Sequence, residues 1–347
     1  MYSVDGDYTE LSKIYGVGEP PNETILTSSE TDKVNSLKVG ASIHKEIRKF
    51  IRPHLQPGLK LSTLANLIEN KCVELTEGKG INNGIGFPSS LSDKTCVAHF
   101  GPSSKFDVTL DEDSIVKIDF GVEVNGWITD SAFTIAFNDK YINLLDAVKD
   151  ATCTGIKNAA IDVNIKEWSK DIQEVMESYE VEIDGKNKPI KVIKNLGGHN
   201  ILKNRIHGGV FLPAAHIPYY DDNLKFKEGV YAIETFGSTE SNFGLTKPEE
   251  NTLYTTSMTQ TDRVPKILQN FHKNLIDNFS TIPYSDRYLE NLYKFSYFKP
   301  RIKDLVKLNI VKEYPPIYCY KDGMSAQYEH TIYLGDKKIV FTKSTDY

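Results

Sequence analysis

The residues best equipped for chemistry lie on either side of a short turn. Ile118-Asp119-Phe120-Gly121-Val122-Glu123-Val124 is followed by Asn125-Gly126, then by Trp127-Ile128-Thr129-Asp130-Ser131-Ala132-Phe133. Asn-Gly is the favoured two-residue hairpin turn because both residues tolerate positive φ. The turn predicts that Val124 pairs with Trp127, Asp119 with Ala132, and Asp130 with Gly121. Side chains alternate along a strand, so both aspartates emerge on one face, ~7–8 Å apart at the backbone. Two such acids repel unless a cation or a proton compensates. Their gap suits a pair of metal ions ~3.5–4 Å apart. An exposed sheet face with solvated acids would look similar, but Ile118, Phe120, Ile128 and Phe133 predict a hairpin packed on both sides.

Three more residues can join them. His199 follows Gly197-Gly198, and Glu234 and Glu329 interrupt the apolar runs Tyr231–Phe236 and Ala326–Ile332. Taken singly, each acid is as well explained by a salt bridge or a surface position, and His199 by a turn or core histidine. Together, four carboxylates and one imidazole form a ligand inventory for two divalent ions such as Mn, Fe, Co or Zn. The set contains no thiolate, which argues against a structural zinc site. A paired, mainly oxygen-ligated metal site activates water against a peptide carbonyl.

The elements that must position these groups are legible in outline. Helices are expected from about Thr27 to Ile51, opened by a Thr27–Glu30 capping box, and from Leu61 to Thr76. Strong β pattern runs from Ser114 to Phe137, and helical pattern returns at Leu144–Ala160 and Glu167–Tyr179. Asp184-Gly185 reads as a turn between Val181–Ile183 and a strand at Ile190–Lys194; further strands are expected at Val230–Phe236, Ala326–Leu334 and Lys338–Phe341. Between them, Val264–Phe279, Asp286–Phe295 and Ile302–Leu308 read as short helices. The expected organisation is an extended leader over 1–29, a catalytic domain over 30–247 and 312–347, and a helical insertion over 248–311.

Composition narrows the class. The 347 residues carry a net charge of −6 and no basic face, which argues against nucleic acid as a partner. No apolar run approaches the ~20 residues of a membrane span, so no membrane partner is expected. The first residues lack a secretory pattern, and Cys72, Cys96, Cys153 and Cys319 are far apart, which fits reduced thiols in the cytoplasm.

The order Asp119, Asp130, His199, Glu234, Glu329 resembles the five-ligand dinuclear site of the creatinase-like "pita-bread" hydrolases. Longer runs, Lys117–Gly121, Val175–Lys186, Tyr231–Thr239 and Ala326–Ile332, resemble the type 2 methionine aminopeptidases, as does an insertion preceding Tyr314-Pro315-Pro316. The resemblance implies an α+β pita-bread fold, with an antiparallel sheet core, flanking helices and a helical insertion. It implies removal of the initiator methionine, when the second residue is small, by a hydroxide activated at two divalent ions. Within it, Asp119, Asp130, His199, Glu234 and Glu329 are the metal ligands, and Glu234 also shuttles the proton. His99 and His207 match histidines that act on the scissile bond, His99 being the one fumagillin-type inhibitors alkylate; Phe87, Ile206 and Tyr314 match the methionine pocket. The implied partners are nascent polypeptide N-termini at the ribosome, and the implied state is a monomer. Leu253 stands where relatives place a pocket histidine, Gly197 where they place a polar residue, and no polybasic extension precedes the domain. A non-catalytic scaffold of the proliferation-associated branch and a prolidase-like peptidase are the competing readings of the same fold.

Overall fold

Val34, Leu37, Ala41, His44, Arg48 and Ile51 recur every three or four residues and are buried, which makes Ser28–Ile51 (α1) a helix with one covered face. The computed structural model describes residues 28–78, 82–258, 263–321 and 323–347. Thr27, its expected capping box and the leader, apart from the two residues that open α1, lie outside that range. Leu61–Leu75 (α2) follows, then Asn83–Asp93 (β1) and Cys96–Ala98 (β2). Ile115–Val124 (β3) and Trp127–Ala136 (β4) form the expected hairpin, with Asn125 at φ 52° and Gly126 at φ 80°. Its register is the expected one: Val124 with Trp127, Asp119 with Ala132, Gly121 with Asp130.

Ile142–Asn158 (α3) and Ile165–Glu177 (α4) come next. The Asn164 side chain caps α4 by accepting from the Glu167 N–H, and Ile165, Trp168, Ile172 and Met176 form its buried stripe. Asp184-Gly185 does make a turn, but it joins Glu180–Ile183 (β5) to Lys186–Pro189 (β6), a polar ribbon whose pattern gave no strand signal. The run expected to be its partner holds Lys191–Val192 (β7) instead. Then come Gly197–Ile201 (β8), Phe211–Pro213 (β9), Gly229–Ser238 (β10) and Gly244–Thr246 (β11).

The segment expected to be a helical insertion is mixed. It contains Leu253–Thr256 (β12), Gln269–Phe279 (α5), Tyr284–Ser285 (β13), Asp286–Leu292 (α6) and Phe295–Lys307 (α7), and Val311–Glu313 (β14) follows. The three strands form a small sheet ordered β13-β12-β14. Helix α7 runs through Pro300, across the gap left between the expected helices Asp286–Phe295 and Ile302–Leu308. Burial of Phe298, Ile302 and Leu305 along one face outweighs the backbone bond lost at the ring. Ile317–Cys319 (β15), Ser325–Leu334 (β16) and Ile339–Val340 (β17) complete the chain.

Two sheets matter for the site. One is β1-β3-β4; the other is β17-β16-β10-β8-β9, with β7 also pairing with β10. Helix α1 packs on β3 and β4, and α3 on β10 and β16. The two sheets meet along β4 and β16 through side-chain hydroxyls rather than a backbone ladder. Thr331 Oγ1 accepts from the Asp130 N–H (2.8 Å) and donates to the Asp130 carbonyl (2.6 Å). Ser131 Oγ donates to the Glu329 carbonyl (2.6 Å) and Thr134 Oγ1 to that of Gln327 (2.7 Å). Because Thr331 is fully buried, Thr331→Val strands the Asp130 N–H and carbonyl without partners. The expected loss is ~2–4 kcal/mol of unfolding free energy in urea; a loss under roughly 1 kcal/mol would mean water replaces the hydroxyl.

Candidate metal centre

The strand register explains why five separated residues meet. Glu234 on β10 stands directly opposite Glu329 on β16, and His199 on β8 stands opposite Ala232. Ala232 and Glu234 share a face, so His199, Glu234 and Glu329 project together. Asp119 and Asp130 come from the hairpin across the β4–β16 seam. Ligand atoms of Asp130, His199 and Glu329 all lie within 4.8 Å of one another, with His199 Nε2 at 3.4 Å from Asp130 Oδ2. Gln327, two residues before Glu329 and so on its face, joins the remaining pair: its Nε2 donates to Glu234 Oε2 (3.1 Å) and Asp119 Oδ2 (3.4 Å).

The glycine pair before His199 has a specific use. A Cβ on Gly198 would sit 2.2 Å from the Ala232 carbonyl oxygen, and one on Gly197 would sit 2.3 Å from that of Leu212. The glycines therefore let β8 lie close between β9 and β10, which fixes the histidine rather than admitting a ligand.

Four carboxylates in this volume need compensation. Burial, and then the charge of Asp130, holds Asp119 well above the ordinary carboxylate range. Glu234 is raised by burial and by Asp119 and Asp130; Glu329 by burial and by Asp130, Glu234 and Asp119. Asp119 Oδ1, Asp130 Oδ1 and Glu329 Oε1 are buried with no hydrogen-bond donor among the described residues. Converging, unpartnered, mutually repelling oxygens with one imidazole fit divalent cations.

These groups floor a cleft of about 510 Å³. All ten residues singled out in the sequence line it: the five above together with Phe87, His99, Ile206, His207 and Tyr314. Phe87 lies across Gly121, where a Cβ would come within 2.4 Å of its ring, so the aspartate hairpin needs glycine at that point. His99 is held at φ 64°, a conformation uncommon outside glycine, and its N–H donates to Ser90 Oγ (2.9 Å). Its ring meets Tyr314 edge-on at 6.0 Å; His207 stacks over the same tyrosine at 6.0 Å and contacts the His199 ring at 4.4 Å. Burial lowers the His99 imidazole to about 4, with the Lys312 charge adding to the effect and the Pro315 carbonyl opposing it. His207 is open to the cleft, yet the surrounding walls and then the neighbouring His199 and His99 hold its imidazole below the ordinary range. Both rings are neutral near pH 7, with one N–H and one acceptor nitrogen each; the N–H of His99 faces the Pro315 carbonyl.

Leu253 lines the cleft with its side chain against Gly101. Sequence reasoning passed over Gln327 and Lys312. Gln327 carried a usable signal, a polar residue in phase with Glu329 on an apolar strand; Lys312 carried none.

Comparison with known proteins agrees with this geometry. A model of metallopeptidase family M24 matches residues 35–335. The chain is 41% identical over 328 residues to methionine aminopeptidase 2 of Komagataella phaffii, covering 93% of this chain and 72% of that one. It is 41% identical over 324 residues to methionine aminopeptidase 2 of Saccharomyces cerevisiae, covering 90% and 76%. The solved methionine aminopeptidase of Rickettsia prowazekii superposes with a TM-score of 0.59 over 92% of this chain and all of that one; at 16% identity this likeness shows the fold alone. Prolidase structures share the fold at lower identity. A cleft floored by four carboxylates and a histidine, on a pita-bread scaffold matched through its catalytic strands, is that of a metal-dependent peptidase, and the chain belongs to metallopeptidase family M24.

Proposed function

We propose that this chain is a type 2 methionine aminopeptidase, which removes the initiator methionine from nascent proteins whose second residue is small. The observation that carries the reading is the convergence of Asp119, Asp130, His199, Glu234 and Glu329 at the floor of one cleft whose walls include Phe87, Ile206 and Tyr314. Relatives named methionine aminopeptidase 2 at 41% identity support it over the scaffold and prolidase readings. The substrate is met where new chains emerge, at ribosomes in the cytoplasm.

In this reading the five residues hold two divalent ions, whose metal identity is open. When bound, such ions supply Lewis acidity and a water acidified towards neutral pH. Glu234, steadied by Gln327, takes the proton from the attacking water and delivers it to the leaving nitrogen as the C–N bond breaks. His207, neutral at working pH, donates its N–H to the carbonyl oxygen as it gains charge, while His99, whose N–H faces the Pro315 carbonyl, offers its other ring nitrogen as an acceptor to the scissile amide N–H. Phe87, Ile206 and Tyr314 enclose the methionine side chain, which fits an unbranched thioether. The carboxylates of the floor attract the free α-ammonium group of the substrate. The division into a discontinuous catalytic domain, 30–247 with 312–347, and an insertion over 248–311 belongs to the same proposal. It is supported by a second core of Leu268, Phe271, Leu275, Phe298, Ile302 and Leu305 within the insertion.

The test is a peptide panel on metal-loaded protein. Methionine is expected from Met-Ala-Ser, and at least ~10-fold less from Met-Leu-Ser or of valine from Val-Ala-Ser. Equal release from all three would contradict the pocket assignment.

A further inference from the structure

The floor of the cleft is acidic, but its rim carries a cation to which the mechanism above gives no contact with substrate. Lys312, on β14, is exposed and lines the cleft. Its Nζ lies 4.6 Å over the Tyr314 ring, and among the described residues it makes no ion pair. Three contacts connect it to the floor: His199 to His207 at 4.4 Å between ring centroids, His207 to Tyr314 at 6.0 Å, and Tyr314 to Lys312 Nζ at 4.6 Å. The ammonium therefore lies no farther from the His199 ring than four to five residues of extended peptide reach at ~3.3 Å each. Lys312 lines the same cleft as the metal ligands, so a peptide whose first residue is held at the floor and whose chain runs out past Tyr314 brings its third or fourth side chain towards this ammonium. The Tyr314 ring holds the ammonium by cation–π attraction without neutralising it, so its charge remains available.

We propose that Lys312 is a specificity-determining residue that favours substrates with an acidic third or fourth residue and disfavours basic ones. The inference rests on the aminopeptidase reading and adds to it a class of preferred substrate. An exposed ion pair is worth little on its own, so the effect is a bias among substrates rather than a requirement.

The experiment compares kcat/KM for Met-Ala-Glu-Ser, Met-Ala-Gln-Ser and Met-Ala-Lys-Ser with metal-loaded wild type, Lys312→Met and Lys312→Glu. Taking ratios between peptides cancels any general change in activity. The wild type is expected to prefer the Glu peptide over the Lys peptide by about fivefold at low salt, falling towards one as salt shortens the screening length. Lys312→Met should flatten the ratio and Lys312→Glu should invert it. The same ratio in wild type and Lys312→Glu, or a wild-type ratio that ignores salt, would overturn the proposal. No methionine from the neutral peptide with wild type would instead remove the aminopeptidase reading, and this proposal with it.

Discussion

Asp130→Ala is expected to lower methionine release at least ~1,000-fold while leaving a folded protein. Asp130 belongs to the group whose ligand atoms lie within 4.8 Å of one another, and one of its oxygens has no donor among the described residues. Removing a ligand forfeits charge stabilisation worth several kcal/mol, and each 1.36 kcal/mol is tenfold in rate. The bonds that tie this residue to Thr331 run through its N–H and carbonyl, which alanine keeps. The variant also relieves the repulsion that raises Asp119, Glu234 and Glu329. Metal-free Asp130→Ala should therefore unfold at a temperature no lower than metal-free wild type. Calorimetric titration should show bound metal falling from two ions per chain to one or fewer. Two tightly bound ions in the variant would remove Asp130 from the ligand set.

The second large effect concerns pH. Asp119, Glu234 and Glu329 are all raised above their ordinary range, chiefly by burial and then by one another. The fold thus favours their neutral forms. Their contribution to stability is full below the unfolded carboxylate range, near pH 4, and is lost as pH rises through the raised values. Divalent ions reverse this by compensating the ionised forms. At 100 times the dissociation constant each ion adds about 2.7 kcal/mol. Thermal unfolding of metal-free and Mn-loaded protein between pH 5 and 8 should give curves that diverge as pH rises. Glu123, buried without a partner and raised by burial to about 8, weakens both forms alike and drops out of the difference. A gap between the two curves that stays constant with pH would show that the acids at the floor do not titrate together.

The convergence of the candidate ligands was legible because the elements that carry them obey local rules. Asn125-Gly126 fixes the hairpin register, and the register decides that Asp119 and Asp130 share a face. Glu234 and Glu329 stand out as charges inside apolar strands, although only the structure shows them opposite each other. His99 offered no local signal: a loop histidine in a left-handed conformation looks like any other in sequence, and only the family resemblance picked it out. The seam between the sheets could not be read either, since Ser131, Thr134 and Thr331 are ordinary strand residues whose hydroxyls matter only once β4 lies beside β16. The errors have physical causes. The polar ribbon Lys186–Pro189 pairs through its backbone without an apolar pattern, and the buried face of α7 outweighs Pro300. The small sheet around Leu253–Thr256 arises from pairing with Tyr284 and Glu313, residues distant in sequence.

Whether these five residues assemble a two-ion centre that hydrolyses the first peptide bond is decided by methionine release from Met-Ala-Ser by metal-depleted protein. Mn, Co, Fe or Zn would be added back in turn, with Asp130→Ala measured alongside. No release is expected without metal, recovery with at least one of the four ions, and no recovery in the variant. Release that is unaffected by metal depletion, or a folded wild type that stays inactive with every ion, would contradict that expectation.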